Sequence, residues 1–128
     1  MNASLYKSNI IEHYKNPRNI SKISEVTHTS SVKNTTCGDE IELSLNVSEG
    51  VVKELQHVTR GCAICLASMS MLSEKLIEKN VDELKELDNS VVLDMLGMKE
   101  SSGRIKCAAL GVEAVKLIIS EWTGELTA

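Results

Sequence analysis

The sequence predicts an α+β fold, a small three-stranded antiparallel sheet with helices packed on one face. Three observations carry that prediction. Residues 40–47 alternate strictly, with Ile41, Leu43, Leu45 and Val47 set against Glu42, Ser44 and Asn46, the pattern of a half-buried strand. Ser48-Glu49-Gly50 has the length and the glycine of a hairpin loop, returning the chain through a second strand over residues 51–59. After Gly61 the apolar period lengthens to three and four, and the rest of the chain reads mostly as helix.

The elements follow in order. Residues 5–15 read as a helix with Tyr6, Ile10, His13 and Tyr14 on one face, and the Asn-Pro-Arg-Asn run at 16–19 ends it, because a residue before proline is pushed out of the helical region. Residues 23–33, polar with scattered Ile and Val, fit a weak edge strand. Gly61 breaks the third strand, and residues 63–79 form a helix rich in Ala, Met and Leu. A short surface helix over 81–87 is capped by Asn80, and another runs from Asn89 or Ser90 to about Leu96, before Gly97. The last helix spans about 104–122, with Ile105, Ala108, Val112, Val115 and Ile119 facing a core and Lys106, Glu113, Lys116 and Ser120 facing out.

The 128 residues suit one domain, 1–128, with no internal repeat or linker. With aromatic content of only 2%, the core must be aliphatic. There is no apolar run of membrane-spanning length and no signal-peptide stretch, so a cytoplasmic protein with no membrane partner is expected. The net charge of −4 argues against a general nucleic-acid surface and favours protein partners. In such a compartment four cysteines are more naturally metal ligands or reactive thiols than disulfides.

Three of those cysteines stand at element ends. Cys37 lies in Thr36-Cys37-Gly38-Asp39 before a strand, Cys62 where strand gives way to helix, and Cys107 in the opening turn of the last helix. A cysteine is often only a small buried hydrophobe. That reading weakens for three thiols at element mouths next to Gly38, Gly61 or Gly103. Together they suggest a soft-metal or sulfur site, and helix N-termini at Cys62 and Cys107 should lower those thiol pKa values. Asp39, otherwise a turn residue, is the nearest carboxylate that could complete a tetrahedral set, and its weaker oxygen ligand suits a site whose contents are exchanged. Arg104, unfavourable at a helix N-terminus, is a candidate site-supporting residue that could pair with Asp39 or favour thiolates. His13, His28 and His57 have no ligand-like spacing. Cys62 and Cys65 also form a C-x-x-C motif, which raises a dithiol oxidoreductase. Against it stand the antiparallel hairpin before the motif, the absence of a later proline, and Cys37 and Cys107 left without a role. Cys65 fits a core position in the first helical turn and stays open as a fourth ligand.

With these residues in view the chain resembles the U-type iron–sulfur cluster assembly proteins, the IscU/SufU family, over nearly its whole length. The motifs are Tyr-x-x-x-Ile-Ile-x-His-Tyr-x-Asn-Pro-Arg-Asn at 6–19, Cys37-Gly38-Asp39, Gly61-Cys62-Ala63-Ile64 with Ala67-Ser68, and Arg104-Ile105-Lys106-Cys107-Ala108. The resemblance implies metal or cluster ligands at Cys37, Asp39, Cys62 and Cys107, holding zinc or a nascent 2Fe–2S cluster. It implies sulfur delivery as persulfide from a pyridoxal-phosphate cysteine desulfurase, with downstream iron–sulfur assembly or apo-acceptor proteins as further partners. Cys65 falls where the pattern usually has serine.

Lys106 where the Isc branch has histidine, and no proline in the segment 100–103 where that branch carries a chaperone motif, point to the SufU branch. Cys62 and Cys107 stand 45 positions apart, closer to the Isc length than to SufU proteins with their insertion. The leading expectation is a zinc-bound acceptor of persulfide sulfur, a sulfurtransferase if it is an enzyme, with Cys37 as acceptor. The alternatives are a scaffold for a labile 2Fe–2S cluster on the same ligands, the Cys62/Cys65 oxidoreductase, and a purely structural zinc module. The N-terminal helix, at about 4–19, is expected to be detachable, packing on this protein or on the desulfurase.

Overall fold

The computed structural model describes residues 3–99 and 103–127, with side chains described over 6–99 and 103–122. The elements are α1 (Ala3–Lys15), β1 (His28–Asn34), β2 (Asp39–Ser48), β3 (Val51–Arg60), α2 (Ala63–Leu76), α3 (Val81–Lys85), α4 (Asn89–Leu96) and α5 (Ile105–Thr127). The expected α+β architecture is present. The sheet has the order β1-β2-β3, antiparallel throughout. β2 is central because its alternation gives one fully apolar face, on which Ile41, Leu43 and Leu45 are buried. The hairpin between β2 and β3 closes Ser48 onto Val51 through Glu49 and Gly50, both at positive φ, the pattern of a two-residue turn that matches strand twist.

The helices α2 and α5 cover the apolar face. Leu72 and Leu76 of α2 and Ala108, Val112, Val115 and Ile119 of α5 join the β2 residues in one core cluster. Ser30 in β1 donates to the Ala114 carbonyl at 2.9 Å, tying the edge strand to α5. No described helix is long and apolar enough to cross a membrane.

Several elements depart from the sequence reading, β1 among them, which begins at His28 rather than residue 23. α2 stops at Leu76 rather than residue 79, because Ile77 turns extended and the Glu78 N–H and Lys79 carbonyl pair with Val52 of β3. A tertiary backbone pairing overrides helix propensity there. Tyr14, expected on the packed face of α1, is 49% exposed beside exposed Ile11. α5 runs on to Thr127, and α4 is capped by Asp88, which accepts from the Ser90 N–H. Asn80 does cap α3, in a reciprocal box with Glu83. Of the segment 100–103, only Gly103 lies within the described residues.

α1 docks on the body through Tyr6 and Ile10, and its last turns and the turn after it through polar contacts. The Tyr6 ring rests against Gly97, where a Cβ would lie 2.4 Å from it. The Ser70 hydroxyl accepts from the Arg18 N–H at 2.8 Å and meets His13 Nδ1 at 2.7 Å, and the Asn19 amide donates to Ser73 Oγ at 2.9 Å. His57, read from sequence as an ordinary strand side chain, is 1% exposed on the core face opposite Leu43. Its Nε2 bonds the Arg18 carbonyl and its Nδ1 the Thr59 hydroxyl, both at 2.8 Å, while its backbone N–H donates to the Asn19 carbonyl. Because a carbonyl can only accept, the ring proton sits on Nε2 and the neutral form satisfies both neighbours.

Burial holds the His57 pKa below its ordinary 6.5, against the Arg18 hydrogen bond that raises it. A depressed histidine pKa means that the unfolded chain takes up a proton first. Its contribution is therefore complete above pH 6.5 and is lost as pH falls through the lower folded value. Thermal melts should show stability falling from pH 7 to pH 5. His57→Phe should lower stability at pH 7 by about 1–3 kcal/mol, since the Arg18 carbonyl loses its donor, and should flatten that acid limb. Some slope should persist from His13, which burial and Arg18 also depress. An unchanged acid limb would refute the role given to His57.

Candidate metal centre

The candidate ligands come together at one end of the sheet. β1 ends at Asn34 and β2 begins at its partner Asp39, so residues 35–38 form the tip of a hairpin loop, closed by the Gly38 N–H on the Asn34 carbonyl. Cys37 sits exposed in that tip, while Asp39 is 1% exposed beneath it. Cys62 is the N-cap of α2, half-buried, and its side chain makes no capping bond. Cys107 lies in the first turn of α5 at 2% exposure.

Ligand atoms of Cys37, Asp39 and Cys107 all lie within 4.8 Å of one another, a group that could hold a metal ion. Cys62 falls outside that threesome but belongs to the same neighbourhood. Its backbone N–H donates to Asp39 Oδ1 at 3.0 Å, and it is among the neighbours that raise the Cys107 pKa. Asp39 Oδ2 is buried with no hydrogen-bond partner. A buried carboxylate oxygen without a donor is costly unless a cation completes it. Two thiols beside a carboxylate that has an orphaned oxygen fit a borderline-soft divalent ion such as zinc.

The expected lowering of the Cys107 pKa at a helix N-terminus is reversed. Burial pushes this thiol well above its ordinary value, and its neighbours Asp39, Cys62 and Cys37 push it the same way. The helix terminus offers about 0.3–1 kcal/mol, less than the cost of a charge in a buried site already holding a carboxylate. A bound cation would remove that penalty.

Cys65 is fully buried, and burial, aided by Asp39, Cys62 and Cys37, pushes its thiol up to about 12. It packs in the core cluster as a small hydrophobe, outside the group of converging donors. Arg104 is exposed just before α5, and its carbonyl receives the Ala108 N–H. From sequence Gly61 reads only as a strand breaker. A Cβ on it would lie 2.1 Å from Asp39 Oδ1, and the signal for that role is its place between the strand and Cys62.

The NifU-like N-terminal domain family matches residues 5–127. The chain belongs to this family, which includes the IscU and SufU proteins. A protein of Bacillus subtilis named zinc-dependent sulfurtransferase SufU is 29% identical over 138 aligned positions, covering 94% of this chain and 93% of the relative. The Escherichia coli K12 iron–sulfur cluster assembly scaffold protein IscU is 29% identical over 121 positions, covering 91% and 93%. The crystal structure of the FiSufU protein of Fervidobacterium islandicum AW-1 superposes with a TM-score of 0.75 at 23% identity, covering 93% of this chain and 99% of that one. That likeness bears on the fold. The Bacillus alignment is longer than the 128 residues of this chain, so that relative carries positions this one lacks.

Proposed function

We propose that this U-type iron–sulfur cluster assembly protein accepts persulfide sulfur from a cysteine desulfurase, with Cys37 as the acceptor. The observation that carries the reading is the graded exposure of the donor cluster. Asp39 and Cys107 are buried and Cys62 half-buried on packed elements, whereas Cys37 is exposed at a hairpin tip next to Gly38 at φ 75°. A sulfur on a packed helix cannot travel several ångströms without disturbing its neighbours, whereas a loop-tip sulfur can.

Zinc held by Cys37, Asp39, Cys62 and Cys107 would supply charge that keeps these thiols deprotonated. The SufU name of the Bacillus relative and the converging donors support that choice of ion. In the transfer, the Cys37 thiolate attacks the outer sulfur of the donor's persulfide. A new S–S bond forms on Cys37, the old one breaks, and the donor cysteine leaves as thiolate, so no external oxidant is needed. Asp39 and Cys107 stay in place, and Arg104, three residues before Cys107, would favour the thiolate.

The second reading is a scaffold that assembles a 2Fe–2S cluster as cargo on the same side chains. The name of the Escherichia coli relative and the 45-position interval from Cys62 to Cys107 favour it. Mass spectrometry after one desulfurase turnover separates the two. The transfer reading predicts one added sulfur on the peptide containing Cys37. Added sulfur chiefly on Cys107 would reject the Cys37 acceptor and favour the scaffold.

Docking of the desulfurase is assigned to the face of α1 and its following turn. Ile11, Tyr14, Ile20 and Val58 are exposed. Ile20 and Val58 border a shallow groove that reaches Leu66, one helical turn after Cys62. Detachment of the N-terminal element at about 4–19 would enlarge this surface, with the Arg18 and Asn19 bonds as the anchor to be broken. Tyr14→Asp combined with Ile20→Asp should weaken desulfurase binding at least about tenfold by calorimetry, with metal content unchanged. Unaltered affinity would place the partner elsewhere.

A further inference from the structure

We infer that Gly61 is a positioning residue for the Asp39 carboxylate, its missing side chain being part of the metal centre. This rests on the reading of Asp39 as a ligand. β3 ends at Arg60, paired with Glu40, and Cys62 already caps α2, so Gly61 alone carries the chain from strand to helix. It does so at φ 152°, a conformation that side chains rarely adopt.

The steric constraint is more specific than the backbone one. A Cβ at Gly61 would stand 2.1 Å from Asp39 Oδ1, 2.9 Å from its Cγ and 3.1 Å from its Cα. The obstacle is the carboxylate itself, not the free tip of a flexible chain. Its backbone has little room to retreat, because Asp39 pairs with Asn34 and the next residue, Glu40, pairs with Lys33 and Arg60. Oδ1 is held by the Cys62 N–H at 3.0 Å. Any side chain at 61 therefore displaces the carboxylate, breaks that bond and moves the partnerless Oδ2 out of the donor cluster. One residue thus sets both the room for the oxygen ligand and the approach of the Cys62 N–H that orients it.

Gly50 supplies the control. It has φ 76° in the remote β2–β3 hairpin, and a Cβ there would meet nothing within 4 Å, so an alanine brings backbone strain without a clash. Zinc affinity by competition with a chromophoric chelator, and melting of the metal-free chain, are measured for Gly61→Ala, Asp39→Ala, the double variant and Gly50→Ala. Gly61→Ala and Asp39→Ala should each weaken zinc about 10- to 100-fold. The double variant should bind within about twofold of Asp39→Ala alone, because the new methyl group occupies space the carboxylate has left. Gly50→Ala should melt lower and bind zinc as the parent does.

Parent-like zinc binding by Gly61→Ala, or losses that multiply in the double variant, would overturn the positioning role while leaving Asp39 a ligand. Parent-like binding by Asp39→Ala would overturn the ligand reading and this inference with it. If Gly61→Ala fails to fold, a double variant that folds and melts like Asp39→Ala supports the carboxylate clash. Failure of both to fold would make Gly61 a structural residue only.

Discussion

The hydrogen bond from the Cys62 N–H to Asp39 Oδ1 joins the first residue of β2 to the cap of α2, and the candidate centre depends on it. A strand and a helix meet there with a carboxylate wedged between them, in the space left by a glycine. The bond uses one carboxylate oxygen and leaves the other buried and unpartnered. Burial makes that second oxygen expensive to leave bare, and the thiols of Cys37 and Cys107 grouped with Asp39 make a cation the natural remedy. The helices α2 and α5 fix Cys62 and Cys107 by packing on the same apolar face of β2, so the core holds the donors in register.

Rigidity ends at the hairpin tip. Three of the four candidate donors sit on elements anchored in the core, and the fourth, Cys37, sits in a loop closed by the backbone hydrogen bond from Gly38 to Asn34. That contrast gives the centre a fixed part and a movable part without requiring the fold to open. The polar docking of the turn at 16–19 on Ser70, Ser73 and His57 adds a second, independent element whose attachment rests on hydrogen bonds more than on apolar burial. Such contacts are individually worth about 0.5–1.5 kcal/mol, and protonation of His57 at acid pH puts a charge into the buried site on which the turn rests.

Much of this is legible in the sequence because period and punctuation are local. The alternation of β2, the glycine of the hairpin, the stripe of α5 and the Asn80 cap each announce themselves within a few residues. The convergence of Cys37, Asp39 and Cys107 can be anticipated from their placement at element ends. The misses are tertiary. Nothing local to residues 77–79 says that they will pair with Val52, and nothing in α1 says that Tyr14 points away from the body while Tyr6 meets Gly97. The Cys107 pKa moves opposite to expectation because a helix terminus is visible in sequence and desolvation is not. His57 looks like one more strand residue, since its partners Arg18 and Asn19 lie far away in the chain.

The central claim is that Cys37, Asp39, Cys62 and Cys107 hold one metal ion. X-ray absorption at the zinc edge, on protein purified without oxygen and loaded with one equivalent of zinc, tests it most directly. The expected result is a first shell of three sulfur scatterers and one oxygen, falling to two sulfurs in Cys37→Ala and unchanged in Cys65→Ser. A shell of four sulfurs that loses one in Cys65→Ser, or one with imidazole scattering, would contradict it.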